Sequence, residues 1–117
     1  MLDYLDPTGE LIQYRLYRDS CVQTAEGVYI KDLSIFRNRS LKDVVIVDNA
    51  VYSFGLQLDN GIPIIPFYDS REDEELRHLV FYLKCLAEHP DIREQNRIAF
   101  QLSALDAEYI QDYLSKQ

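Results

Sequence analysis

Lys31, Asp48 and Asn49 are the side chains in this sequence best suited to phosphate or hard-cation chemistry. Lys31 follows an apolar strand-like run and opens Lys31-Asp32-Leu33-Ser34. A lysine there can hold a phosphate or neutralise a carboxylate. It also reads as a surface lysine beside a turn begun by Asp32. Asp48-Asn49 ends the greasy run Val44 to Val47. Their oxygens suit a divalent cation such as magnesium, and the same pair suits a plain turn. Ligands of open α/β sheets gather outside the carboxyl ends of strands. Two oxygens are too few for a metal site, so the surrounding elements must decide.

Those elements are mostly short. Asp6-Pro-Thr-Gly9 is a turn. Leu11 to Arg18 alternates, Ile12, Tyr14 and Leu16 against Gln13, Arg15 and Tyr17, which predicts a strand. Cys21 to Thr24 and Val28 to Lys31 flank Ala25-Glu26-Gly27, a hairpin with Gly27 at positive φ. Asp32 to Phe36 reads as a short turn of helix. Val44 to Val47 is β-branched throughout, as suits a strand buried on both faces. Gly61 to Ile65 is a second short strand, with Pro63 marking an edge or an end. A helix follows, capped by Ser70 with Asp73 in the reciprocal position. It places Leu76, Leu79, Val80, Leu83 and Leu86 on one face and ends at His89-Pro90. A second helix is expected from Asp91 to about Leu102 and a third from Ser103 to about Ser115. The order fits an α/β layered domain better than a bundle.

Composition narrows the function. The chain has 117 residues, 47% hydrophobic and 12% aromatic, enough for one small folded domain. With 20 acidic and 12 basic side chains, its formal charge is −8, which disfavours nucleic acid and anionic lipid as general partners. Local basic spots remain at Arg15 with Arg18 and at Arg37, Arg39 and Lys42. Cys21 and Cys85 lie far apart and predict reduced thiols. His78 and His89 read as solvated. Ser20, Ser34, Ser40 and Ser53 lack a nucleophile-elbow context, and no glycine-rich phosphate loop is present. No apolar run reaches membrane-span length. The acidic opening MLDYLDPTGE is neither a signal nor a transit peptide, which points to the cytoplasm or nucleus.

In order, Arg15-Leu-Tyr-Arg18-Asp-Ser-Cys21, Tyr29-Ile-Lys31-Asp-Leu-Ser34, Val45-Ile-Val-Asp48-Asn49, Asn60-Gly-Ile-Pro-Ile64 and Asp73-Glu-Glu-Leu76 resemble one family. It comprises the phosphatases of the RNA polymerase C-terminal domain and their relatives, the nuclear LIM interactor-interacting factor-like phosphatases. They form a branch of the haloacid dehalogenase superfamily that also contains the import-receptor subunit of the mitochondrial inner-membrane translocase. The resemblance covers about Leu2 to Leu102. It implies an α/β fold, a haloacid dehalogenase-like Rossmannoid domain of three layers. It also implies magnesium-dependent removal of phosphate from protein serine or threonine through an aspartyl-phosphate. By this resemblance Lys31 offsets charge at the phosphorylated aspartate, Arg18 lies near the substrate phosphate, and Asp48 and Asn49 hold magnesium. Through the import-receptor branch it adds mitochondria as a location.

The family's Asp-x-Asp-x-Thr nucleophile motif and the following Thr-Ala-Ser strand do not occur in this sequence. The resemblance therefore assigns residues 1–102 to the C-terminal part of the domain, the first core strands missing, with 103–117 as an extra helix. Such a part is expected to be inactive alone. It is expected to be a fragment, to dimerise or take a complementing chain through exposed sheet edges, or to rewire its strand order. The alternative is a non-catalytic module that binds a protein partner.

Overall fold

The structure, a computed structural model, describes residues 1–102 and 115–116. Helix α1 (Leu2–Leu5) leads into the Asp6 turn. There the buried Asp6 carboxylate accepts the Leu11 and Ile12 N–H groups at 3.1 and 2.7 Å. Strands β1 (Val22–Gln23) and β2 (Tyr29–Ile30) form the expected antiparallel hairpin. Gly27 sits at φ 86°, a conformation glycine adopts without cost. Thr24 closes the turn, accepting Val28 N–H on its hydroxyl and Gly27 N–H on its carbonyl. Strand β3 (Ile46–Asp48) runs parallel to β4 (Gly61–Pro63), pairing Ile46 with Gly61 and Asp48 with Pro63. Pro63 has no N–H to give, and Ile64 N–H reaches back to the Asp48 carbonyl instead. The chain is thus mixed α/β, with two small two-stranded sheets among the described residues.

Helix α2 (Glu75–Leu86) and helix α3 (Ile92–Phe100) cover the parallel pair. The core cluster is Ile62, Leu86 and Ile92, with Val45, Leu79, Tyr82, Leu83 and Phe100 packed against it. Tyr82 and Phe100 meet edge to face at 5.3 Å. Helix α3 starts where expected: Asp91 caps it, accepting Arg93 N–H at 3.0 Å.

Several expectations need correction. Leu11 to Arg18 pairs with no strand among the described residues. Alternation alone makes no strand: the Asp6 carboxylate takes its first two N–H groups, and a single turn of 3₁₀ helix at Arg18–Ser20 ends it. The strand expected at Val44 to Val47 is shifted to Ile46–Asp48. Val47 is 37% exposed rather than buried on both faces: it points to the opposite face from Ile46 and Asp48, which are half-buried. Ser70 does not cap α2. It accepts Glu72 N–H, and Asp73 accepts Glu75 N–H as the helix begins. The buried face of α2 is Leu79, Tyr82, Leu83 and Leu86, whereas Leu76 and Val80 are 69% and 50% exposed. Turning Tyr82 inward lets its hydroxyl donate to Asn96 Oδ1 at 2.7 Å. The helix expected over 103–115 lies outside the described residues.

One aromatic contact locks the middle of the chain. Phe54 is fully buried, and a Cβ on Gly61 would overlap its ring. Gly61→Ala is expected to cost about 1–3 kcal/mol through overpacking, measured as a lower urea midpoint at unchanged slope. A second expectation concerns acid. The Arg93 guanidinium, together with the Arg93 N–H, holds the Asp91 carboxyl down at about 2. The unfolded carboxyl takes its proton near pH 3.9, about two pH units earlier. The contribution of Asp91 is therefore complete above about pH 4 and lost as pH falls toward 2. Asp91→Asn should flatten that part of the stability–pH curve in thermal melts.

Candidate functional site

Strand β2 delivers Lys31, and the end of β3 delivers Asp48. Backbone order comes first. Lys31 N–H donates to the Ser53 carbonyl at 2.7 Å, so the hairpin is seated on the 3₁₀ turn Val51–Phe54 that Phe54 anchors. The next residues are fixed by Gln57. Its amide nitrogen donates to Asp32 Oδ1 at 2.8 Å and its oxygen accepts Leu33 N–H at 3.0 Å. Asp32 also accepts Ser34 N–H at 2.9 Å, closing the expected short helical turn.

The side chains then meet. Lys31 Nζ donates to Asp48 Oδ2 at 2.6 Å, joining the hairpin to the parallel pair. The other oxygen, Asp48 Oδ1, accepts Ala50 N–H at 2.9 Å. Asp48 thus joins a local turn to an ion pair with Lys31. Asn49 is exposed beside it. Arg18 stands over the Tyr29 ring, 5.0 Å from its centroid, a cation–π contact with the hairpin. Arg18, Lys31, Asp48 and Asn49 all line one open cleft of about 1360 Å³. Of these four, Lys31 and Asp48 are hydrogen-bonded to each other.

Sequence reasoning missed Gln57, Tyr29 and Ser53. The signal for Gln57 was a lone amide between Leu56 and Leu58; Ser53 acts through its carbonyl, which no side-chain pattern reveals. His78 and His89 are exposed, and Cys21 and Cys85 are free thiols.

The resemblance implies magnesium, which takes roughly six oxygens in near-octahedral array. Asp48 and Asn49 provide too few, both Asp48 oxygens already accept protein donors, and no group of three His, Cys, Asp or Glu able to hold a metal occurs among the described residues. These residues alone do not fit the ion.

The NLI interacting factor-like phosphatase model matches residues 1–93. The chain belongs to that family. Relatives include CTD small phosphatase-like protein 2 of Dictyostelium discoideum, 48% identical over 105 residues, covering 90% of this chain and 18% of the relative. CTD small phosphatase-like protein 3 of Caenorhabditis elegans is 42% identical over 103 residues, covering 87% and 35%. The mitochondrial import inner membrane translocase subunit TIM50 of Candida glabrata is 41% identical over 83 residues, covering 71% and 16%. The phosphatase-family chain thus spans well under half the length of each of these relatives. No described helix is long and apolar enough to cross a membrane.

The Asp32 carboxyl lies below its ordinary range, first because Ser34 N–H donates to it and then because the Gln57 amide does. Gln57→Leu should raise it toward the ordinary value, read from the pH dependence of its carboxyl carbon resonance. The Leu33 amide, losing its acceptor, should exchange faster with solvent.

Proposed function

We propose that these residues are the C-terminal part of a magnesium-dependent protein serine/threonine phosphatase domain. Its nucleophile and acid/base aspartates would be supplied by a segment outside residues 1–117. The observation that carries this reading is the Lys31–Asp48 pair, at the carboxyl end of a strand with one edge unpaired among the described residues, inside a region matched to a phosphatase family. Phosphoryl transfer asks a protein mainly for positioning and charge stabilisation. Lys31 would offset negative charge at the phosphorylated aspartate, and Arg18 would meet the phosphate of a phosphoprotein substrate. Asp48 and Asn49 would contribute part of the magnesium site. Without an Asp-x-Asp-x-Thr motif the 117 residues alone do not turn over phosphate.

The open edge of β3 gives the partner a place. Unpaired strand edges recruit another strand, so a complementing chain or a second copy would pair there. The same edge, with 41% identity to a translocase subunit, favours one other reading: a non-catalytic module that binds a protein partner. The phosphatase reading places the protein in cytoplasm or nucleus, the binding-module reading in mitochondria.

Co-expression with a segment carrying Asp-x-Asp-x-Thr and its following strand separates the two. The phosphatase reading expects a co-purifying complex with magnesium-dependent turnover of a phosphoserine peptide. Lys31→Ala or Asp48→Ala should then lower turnover by about 10²–10³-fold. Turnover by the 117 residues alone would overturn it, as would a complex that forms and stays inactive. That last result supports the binding module.

A further inference from the structure

Helices α2 and α3 leave a groove against β4. It is an open space of about 240 Å³, walled by Ile64, Leu79, Tyr82 and Phe100, with Ala99 exposed at its rim and Glu75 and His78 also bordering it. The four wall residues are only half-buried, so this apolar surface has no full cover among the described residues. The Tyr82 hydroxyl already donates to Asn96, which leaves the wall little to offer a polar ligand. A cavity of about 150 Å³ takes up benzene, so the groove has room for roughly one aromatic ring and one aliphatic side chain.

The chain leaves α3 at this groove. Phe100 ends the helix and lines the groove, and Gln101 follows at φ 54° and ψ 31°. Gln101 is the one non-glycine residue at positive φ among the described residues. Left-handed backbone is unfavourable for a residue with a Cβ and persists where its surroundings hold it. It also turns the chain off the helix axis. Leu102 comes next and is half-buried. From Leu102 onward Leu105, Tyr109 and Tyr113 recur at spacings of three, four and four, an apolar stripe of helical period. Asp106 and Asp112 flank the stripe, as polar borders of a half-buried helix do. Leu105 lies five residues beyond Phe100, a reach of at most roughly 18 Å in extended chain. A segment tethered so closely meets the groove at an effective concentration of about millimolar, an advantage that a free partner lacks.

We propose that the groove between α2 and α3 is the seat of this chain's own residues 105–113, with the Leu105 side chain and the Tyr109 ring filling it. Seated there, the segment backs β4 at Ile64, whose N–H holds the Asp48 carbonyl. It thereby steadies the strand end that carries Asp48. The inference stands apart from the phosphatase reading and reads no turnover.

The test uses the full chain. Nuclear Overhauser contacts from the Tyr109 ring to the Ile64 and Leu79 methyl groups are expected, at a strength that dilution does not change. Leu105→Asp combined with Tyr109→Asp should speed solvent exchange of the Ile64 amide by at least about tenfold, because local opening becomes easier. Ala99→Glu, which fills the rim from an exposed position, should do the same. Gln111→Asp, opposite the stripe, should leave the exchange unchanged. If the double variant does not fold, Leu105→Ser with Tyr109→Ser replaces it. Ile64 exchange that neither the double variant nor Ala99→Glu alters would overturn the proposal. So would Tyr109 contacts to another surface. Contacts that fade on dilution would overturn it as well and assign the groove to a second copy of the chain.

Discussion

The contact between Phe54 and Gly61 is the constraint on which the rest of the site depends. Phe54 is fully buried, and its ring occupies the space that a side chain at Gly61 would need. Gly61 opens β4 and pairs with Ile46 of β3, so the ring is held against the parallel pair itself. Phe54 also closes the 3₁₀ turn whose Ser53 carbonyl receives Lys31 N–H. One aromatic ring thereby sets where the hairpin sits and where the Lys31 side chain begins. Magnitudes show which interaction leads. Burying a phenylalanine is worth about 1.5–3 kcal/mol, whereas an ion pair with a half-exposed lysine is worth about 0–1 kcal/mol. The Lys31–Asp48 bridge is a consequence of the fold and contributes little to holding it.

Buried asparagines do the remaining joining. Asn60 donates to the Leu41 and Val44 carbonyls at 2.6 and 2.8 Å, fixing the approach to β3. Asn96 accepts from Tyr82 and donates to the Asp59 carbonyl at 2.9 Å, tying α2 and α3 to the loop before β4. Only six hydrophobic residues are buried among those described, so the core is small. In a small core a satisfied amide that bridges separate segments adds specificity that apolar packing does not supply. Removing one such amide would strand carbonyls that are costly to bury unpaired.

The sequence revealed the features fixed by local chemistry. Gly27 announces its hairpin because its neighbours cannot adopt positive φ at so little cost. Asp32 and Asp91 announce turns and caps through their own side-chain bonds. The ordered series of short segments around Lys31 and Asp48-Asn49 announced the family, which the match over residues 1–93 establishes. Features that depend on partners were not readable. Alternation at Leu11 to Arg18 reports only that alternate side chains differ in polarity; a ladder also requires a neighbour, and the described residues provide none. The buried stripe of α2 turned toward Tyr82 because of Asn96, fourteen positions away. Gln57 holds Asp32 from twenty-five positions away. Such pairings are decided by folding and leave no periodic trace.

Among the described residues β3 is paired on one edge only, and the candidate site lies at its carboxyl end. In a parallel pair, side chains at the carboxyl ends of adjacent strands are brought side by side. β3 ends in Asp48, and β4, its neighbour on one side, ends opposite it in Pro63, which carries no functional group. A strand added in parallel on the free side would end beside Asp48 and bring its own terminal side chain near the Lys31–Asp48 pair. An acidic residue arriving there would face an ammonium half exposed to solvent and would compete with Asp48 for it. Pairing on the edge and release of Asp48 would therefore be one event, with the backbone ladder supplying the affinity and the incoming carboxylate the chemistry. A strand with an apolar end would pair as readily, leave Lys31 on Asp48, and make the same edge a docking site without catalysis.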